Sequence, residues 1–292
     1  MEHVDLLNQI KQQVIVAVLA DDDLGDHLVL KGGNLLQFAY GISARASKDV
    51  DISIDGDLDT EDLKSKVLSC LTNAFQEKGL IVFDFKFLKV PANISADIES
   101  FWGGYACNFK LIDRNAHSNC AEDQQQTRRR AIRVDSSGST RFKIDFSRHE
   151  FCDYKQEFVI GDYTIFGYSP TMFVAEKLRA ICQQMPEYSP VIHRQRSTAS
   201  RARDFVDIHV ITEYYGIDFN SSEFQETAKK IFAKKKVPLE LIGKIKDSHD
   251  HHEPDFASVR DTVHPGYDLQ DFKFYFDSLC SRCLALKPLW DV

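Results

Sequence analysis

No run of about 18 apolar residues interrupts this chain of 292 residues, so a membrane-spanning helix is not expected. A basic leader is missing as well: the chain starts Met1-Glu2-His3-Val4-Asp5, acidic where an export signal would be positive. Both absences point to a cytoplasmic protein with no membrane partner. Cysteine supplies no scaffold. The seven cysteines are an odd number at irregular spacing, which reads as reduced thiols in a packed interior rather than a disulfide framework. Cys280-Ser281-Arg282-Cys283 is a lone CxxC without a second pair at zinc spacing and is read as a helical coincidence. Internal repeats and long linkers are also missing. The net charge of −8 excludes wholesale coating of nucleic acid and leaves only a local basic contact open.

What the chain does have is enough apolar sequence, 43% of residues, for one large core or two modest ones. Leu6, Leu7, Ile10, Val14 and Val18 recur at helical spacing, predicting an amphipathic helix over 4–19 on the back of a sheet. A strand over 27–30 leads into Gly32-Gly33, and a helix follows over 34–40, its first amides directed at phosphate. Leu63, Val67, Leu71 and Phe75 form the buried stripe of a helix that starts at Thr60 and stops at Gly79. Residues 80–90, 103–112 and 141–146 alternate as strands, and a hairpin spans about 157–168. The polar, glutamine-rich stretch 115–127 has no face to bury and is expected to be a loop. Ser169-Pro170 opens a helix, and everything after it reads as helical. These signals give an α+β fold in which a mixed sheet with flanking helices occupies 1–168, a helical domain occupies 169–292, and a cleft lies between them.

The chemistry concentrates at Lys31-Gly32-Gly33-Asn34 and, downstream, Arg45-Ala46-Ser47-Lys48-Asp49-Val50-Asp51. Two glycines let the backbone approach a phosphate, and carboxylates at i and i+2 of a strand share one face. Paired carboxylates of this kind hold Mg²⁺ or Mn²⁺ and leave positions for phosphate oxygens and water, which suits an NTP. On the strand over 141–146, Phe142, Ile144 and Phe146 take one face while Arg141, Lys143 and Asp145 take the other, so Asp145 can join Asp49 and Asp51.

A Gly-Gly turn followed by Asp-x-Asp resembles the signature of the nucleotidyltransferase fold typified by DNA polymerase β. Lys143-Ile144-Asp145, Glu176-Lys177-Leu178 and Arg203-Asp204-Phe205-Val206-Asp207-Ile208-His209 follow in order. Together the four segments resemble the motifs of the AbiEii/AbiGii family, nucleotidyltransferase toxins of bacterial abortive-infection and toxin–antitoxin systems. The resemblance runs from about Leu28 to His209. It implies a nucleotidyltransferase in which Asp49, Asp51 and Asp145 serve metal and catalysis and Lys177 lies over the triphosphate. It further implies that Asp204 reaches the site, with Arg45 and Ser47 in the Arg-x-Ser-x-Asp lead-in and Lys31, Gly32, Gly33, Asn34 and Lys143 at the nucleotide.

Family members add nucleotides to the 3′ end of tRNA, so the resemblance implies a tRNA acceptor and a cognate antitoxin. A protein hydroxyl, including self-modification, and an inactive nucleotide-binding module remain as alternatives. Within the chain, Arg194, Arg196 and Arg201 are the residues expected to meet RNA. His249-Asp250-His251-His252-Glu253 has metal-friendly residue types but, followed by Pro254, reads as an exposed loop.

Overall fold

The computed structural model describes residues 2–42, 47, 49–120, 123–135, 138–195, 198–263 and 266–291. The chain opens with α1 (Glu2–Leu19), β1 (Leu28–Lys31), α2 (Gly32–Phe38), β2 (Val50–Ile54) and α3 (Thr60–Glu77). It continues with β3 (Leu80–Val90), α4 (Ala96–Glu99), β4 (Gly104–Asp113), α5 (Arg114–Ser118), α6 (Gln124–Arg129), β5 (Phe142–Ser147), β6 (Gln156–Ile160) and β7 (Tyr163–Gly167). The strands form one mixed sheet in the order β3-β4-β5-β2-β1-β7-β6. Within it, β2 runs parallel to β5 and β1 parallel to β7, and the other neighbours are antiparallel.

Sequence pattern explains these elements locally. Asp59 caps α3 by accepting from the amides of Glu61 and Asp62, and Gly79 ends it at φ +71°, a backbone that side chains resist. The buried stripe is Leu63, Val67, Leu71 and Phe75, each contributing about 1.5–3 kcal/mol through removal from water. α1 packs on α3 and on the sheet at β1 and β7. In β5 the alternation is strict: Phe142, Ile144 and Phe146 are buried, while Lys143, Asp145 and Ser147 are half-buried. β1 lies in the middle of the sheet, and its Leu28, Val29 and Leu30 are wholly buried.

After Gly167 the described chain is helical: α7 (Pro170–Cys182), α8 (Ala202–Tyr215), α9 (Ser222–Lys234), α10 (His249–His252), α11 (Phe256–Arg260) and α12 (Phe272–Cys283), joined by short 3₁₀ turns. Ser169 caps α7 by accepting from the Met172 amide at 3.3 Å, with Pro170 in the first turn, where its missing N–H costs nothing. α7 is buried nearly all round because α8 and α9 pack on it. Apolar side chains from the sheet and the helices form one connected core.

Two expectations fail. The 115–127 stretch is not a loop: α5 and α6 are single-turn helices, each started by an aspartate, Asp113 and Asp123, whose carboxylate accepts from the next two or three amides. An N-cap does not need an apolar stripe, so the absence of periodicity misled. The histidine cluster is not an exposed loop either. It forms α10 and a following turn, and His252 is 1% exposed against Phe205.

Candidate active site

Strand register builds one wall of the site. Lys31 on β1 lies opposite Asp51 on β2, and Asp51 lies beside Asp145 on β5, so the three side chains share one face across adjacent strands. Two residues back along each strand, Lys143 bridges the pair, with its Nζ 2.5 Å from Asp145 and 3.9 Å from Asp49. Gly32 sits under Asp51 at φ +70°, and a Cβ there would come within 2.2 Å of the Asp51 carboxylate. The glycine is therefore required by the carboxylate's close approach. Asn34 does not line the cleft. It is fully buried, and its Nδ2 donates to the Asp49 carbonyl at 2.6 Å, while the Ser47 hydroxyl reaches the same carbonyl at 3.3 Å. Both residues fix the turn that carries Asp49. Gly33 is buried beside them, and Arg45 lies outside the described residues.

The facing wall comes from α7 and α8. Lys177 is buried, and its Nζ lies 2.7 Å from Asp204 and 3.1 Å from Asp207, so the solvated Glu/Lys pair usual on an amphipathic helix is not what forms here. Arg201 also pairs with Asp204, and its backbone N–H donates to Nδ1 of His252 at 3.0 Å. Burial would raise the Asp204 carboxyl, but Arg201 and Lys177 hold it down at about 2. Asp204 is absent from the cleft lining and stands behind Lys177, orienting it. Burial pushes the His252 imidazole down to about 4, so it accepts from Arg201 as a neutral ring.

A third group escaped the sequence reading. Glu150 is 8% exposed and collects Lys31 at 3.4 Å, Lys235 at 3.3 Å and Arg179 at 3.7 Å. Arg179 also pairs with Glu176 at 2.7 Å. Burial would raise the Glu150 carboxyl, but Lys235, Lys31 and Arg179 pull it down to about 2. Burial instead dominates at Lys235, which falls to about 8 despite Glu150. The one local signal was Arg179 inside the apolar run of α7; a charge buried there needs partners.

These walls enclose a cleft of about 630 Å³, bordered by Lys31, Gly32, Asp51, Lys143, Asp145, Lys177 and Arg201 among others. Asp51 is the most strained group in it. Burial, more than its neighbours, pushes its carboxyl up to about 6, with Asp145 and Asp49 adding to the rise and Lys31 and Lys177 opposing it. Three carboxylates with one close lysine fit a divalent cation, and Lys143 Nζ stands between the two that a cation would otherwise bring together. Their oxygens have not converged as ligands. Among the described residues, the trio of donors already within 4.8 Å of one another is His249, Asp250 and Glu253, away from the cleft lining.

The arginines expected to meet RNA do not form an open basic face. Arg201 is committed to Asp204, Arg194 donates to the Gln183 carbonyl at 2.8 Å, and Arg196 lies outside the described residues. Arg203 is directed to the Ser258 carbonyl at 3.5 Å, on α11.

Comparison with known proteins places this arrangement. No curated protein matches the chain. Among solved structures, JHP933 from Helicobacter pylori is 18% identical with TM-score 0.48, the match covering 99% of this chain and 94% of that one. An antigenic nucleotidyltransferase-like protein from Paracoccidioides brasiliensis is 14% identical with TM-score 0.38, covering 86% and 93%. The antibiotic-resistance factor ANT(2'')-Ia is 12% identical with TM-score 0.33, covering 84% and 100%. The family model described as nucleotidyl transferase AbiEii toxin, type IV TA system, matches residues 13–278. With nine-tenths of its length inside that match, the chain belongs to the AbiEii family of nucleotidyltransferase toxins.

Proposed function

We propose that this nucleotidyltransferase moves a nucleoside monophosphate from an NTP to the 3′ end of tRNA and releases pyrophosphate, with Mg²⁺ or Mn²⁺ at Asp49, Asp51 and Asp145. The observation that carries the reading is the register of Lys31, Asp51 and Asp145 on one face, opposed by Lys177. A divalent cation at the three aspartates supplies charge neutralisation at the transferred phosphate. The chain's own residues do the rest. Asp145 takes the proton of the attacking hydroxyl as its oxygen bonds to the α-phosphorus. The bond from that phosphorus to the bridging oxygen of the β-phosphate breaks. Lys177 and Lys31 neutralise the charge that grows on pyrophosphate as it leaves. Asp204 and Asp207 keep Lys177 charged and aimed, while Asn34 and Ser47 hold the Asp49 turn. In this reading residues 1–168 supply the catalytic sheet and 169–292 the helical wall.

Membership of a toxin family of type IV toxin–antitoxin systems supports a target whose loss arrests growth, and a cognate antitoxin as partner. No described helix is long and apolar enough to cross a membrane, and we place the protein in the cytoplasm with NTP and tRNA. The test is incubation with each α-labelled NTP, Mg²⁺, and total RNA or total protein, followed by separation of products. Label in the tRNA fraction, lost with Asp51→Asn, is the expected result. Label confined to protein, including the enzyme itself, would replace tRNA by a protein hydroxyl. Nucleotide binding without any labelled product would leave a binding module.

A further inference from the structure

Beyond the phosphate-facing groups, the cleft extends into a second lobe of different chemistry, bordered by Val90, Pro91, Trp102, Gly103, Gly104 and Gln183. Gly103, at φ +111°, and Gly104, whose added Cβ would lie 2.0 Å from the Phe146 carbonyl, put no side chain into its floor. The space left is flat. On one side stands the indole of Trp102, its ring 6.2 Å from that of Tyr188 and 5.4 Å from the Lys235 ammonium. On the other stands Gln183, the residue that closes α7. Gln183 is 5% exposed, yet its Nε2 has no hydrogen-bond partner. The nearby Tyr188 hydroxyl influences it, but that hydroxyl is engaged with the Lys235 carbonyl at 2.5 Å and meets Nε2 at no hydrogen-bond geometry. A buried amide without an acceptor is costly unless a ligand completes it. Gln183 lies six residues beyond Lys177, about 9 Å along the helix axis, the scale of an α-phosphate and a ribose.

We propose that the nucleobase of the NTP occupies this lobe, stacked on Trp102 and accepting a hydrogen bond from Gln183 Nε2 at a carbonyl oxygen or ring nitrogen, so that Gln183 ranks the four nucleotides. The inference rests on the nucleotide reading of the phosphate-facing wall, and adds to it the part of the substrate that differs between NTPs. Stacking is tolerant of base identity, since every base has a π-face, whereas one aimed donor is not. Trp102 therefore sets affinity and Gln183 sets choice.

The test is binding of four NTP analogues with a non-hydrolysable α–β bridge, read by quenching of tryptophan fluorescence in the presence of Mg²⁺. Wild type is expected to bind the four unequally, with quenching lost in Trp102→Phe, because Trp290, the other tryptophan, packs by Gly243 away from the lobe. Gln183→Ala should shrink the ratio between best and worst nucleotide by about tenfold. Gln183→Glu, which keeps the shape and replaces the donor by an acceptor, should shift the ranking toward bases that present an exocyclic amine. Trp102→Ala should weaken all four alike. Equal binding of the four by wild type, an unchanged ranking in folded Gln183→Glu, or full quenching in Trp102→Phe would overturn the proposal. The two readings fail separately. A Gln183-dependent ranking without any labelled acceptor keeps the base site and removes transfer, while transfer with a ranking indifferent to Gln183 does the reverse.

Discussion

The two charged walls of the cleft differ in sign and in how they are built. On the strand wall, three carboxylates, Asp49, Asp51 and Asp145, share one close lysine, and burial lifts Asp51 to about 6. Around Glu150 the balance is reversed: one carboxylate draws Lys31, Arg179 and Lys235 together, and burial drops Lys235 to about 8. Each wall is left under-neutralised by the protein alone, with opposite excess. The Lys177–Asp204–Arg201 group has no such excess, because acids and bases there meet in close pairs. Balanced charge holds geometry; unbalanced charge waits for a ligand of the other sign. A cation for the strand wall and a polyphosphate for the other are the complements that an NTP with its metal brings.

The largest expected effect comes from breaking the negative wall. Asp51→Asn should lower transfer by about 10²–10³-fold, as loss of charge stabilisation at a transferring group does. Its melting temperature should hold or rise, because an amide relieves the cost of burying a carboxylate already pushed up. A melting temperature that collapses together with activity would make Asp51 a structural residue instead.

Breaking the positive wall should do the opposite. Glu150→Gln leaves three buried cations without their counter-charge, a loss of about 3–5 kcal/mol seen as a lower melting temperature. The sign with pH follows from its depressed carboxyl. Its stabilisation is fully present above the ordinary glutamate value of 4.5 and disappears as pH falls toward about 2. Wild type should therefore lose stability across that window more steeply than Glu150→Gln; equal slopes would show that Glu150 is not the hub.

Lys177→Ala tests the balanced group and should cost about a hundredfold in rate. On sequence grounds alone, the rate should suffer and stability should not. Burial alters that, since Asp204 and Asp207 lose their lysine in a dry setting, and a drop in melting temperature is expected alongside the loss of rate. Unchanged stability would contradict the burial.

The smallest effect concerns Lys235, which faces Glu150, Arg179, Lys31 and the Arg148 carbonyl. Its folded value lies below the ordinary 10.5, so protein stability should climb as pH rises from about 8 to 10.5. Nucleotide affinity should fall severalfold over the same range as the ammonium discharges. Lys235→Met should flatten both profiles. Profiles parallel to wild type would remove Lys235 from the site.

The difference between the walls also explains what the sequence disclosed. Asp49, Asp51 and Asp145 ride on strands whose period of two is written in the residues themselves, Val50 and Ile52 against the acids and Phe142, Ile144 and Phe146 against Lys143 and Asp145. Their shared face could be read directly. The Glu150 group draws on β1, the segment after β5, the middle of α7 and the end of α9, and no local pattern links those places. Lys235 sits between Lys234 and Lys236, where nothing nearby separates a buried lysine from solvated ones. Gln183 and Trp102 likewise meet only through the packing of α7 over β4. The arginines from 194 to 203 show the converse error, since their density suggested an open face while Arg194 and Arg201 turn inward to Gln183 and Asp204.

The account's central claim is that the strand aspartates, and not the surface cluster at α10, hold the divalent cation. Titration of Mn²⁺ followed by electron paramagnetic resonance, with wild type, Asp51→Asn, Asp145→Asn and Asp250→Asn in parallel, tests it most directly. The expected result is one tight site in wild type and Asp250→Asn that is lost in Asp51→Asn and in Asp145→Asn. Tight binding retained by both strand variants and lost in Asp250→Asn would place the metal at His249, Asp250 and Glu253 and contradict the reading of the cleft.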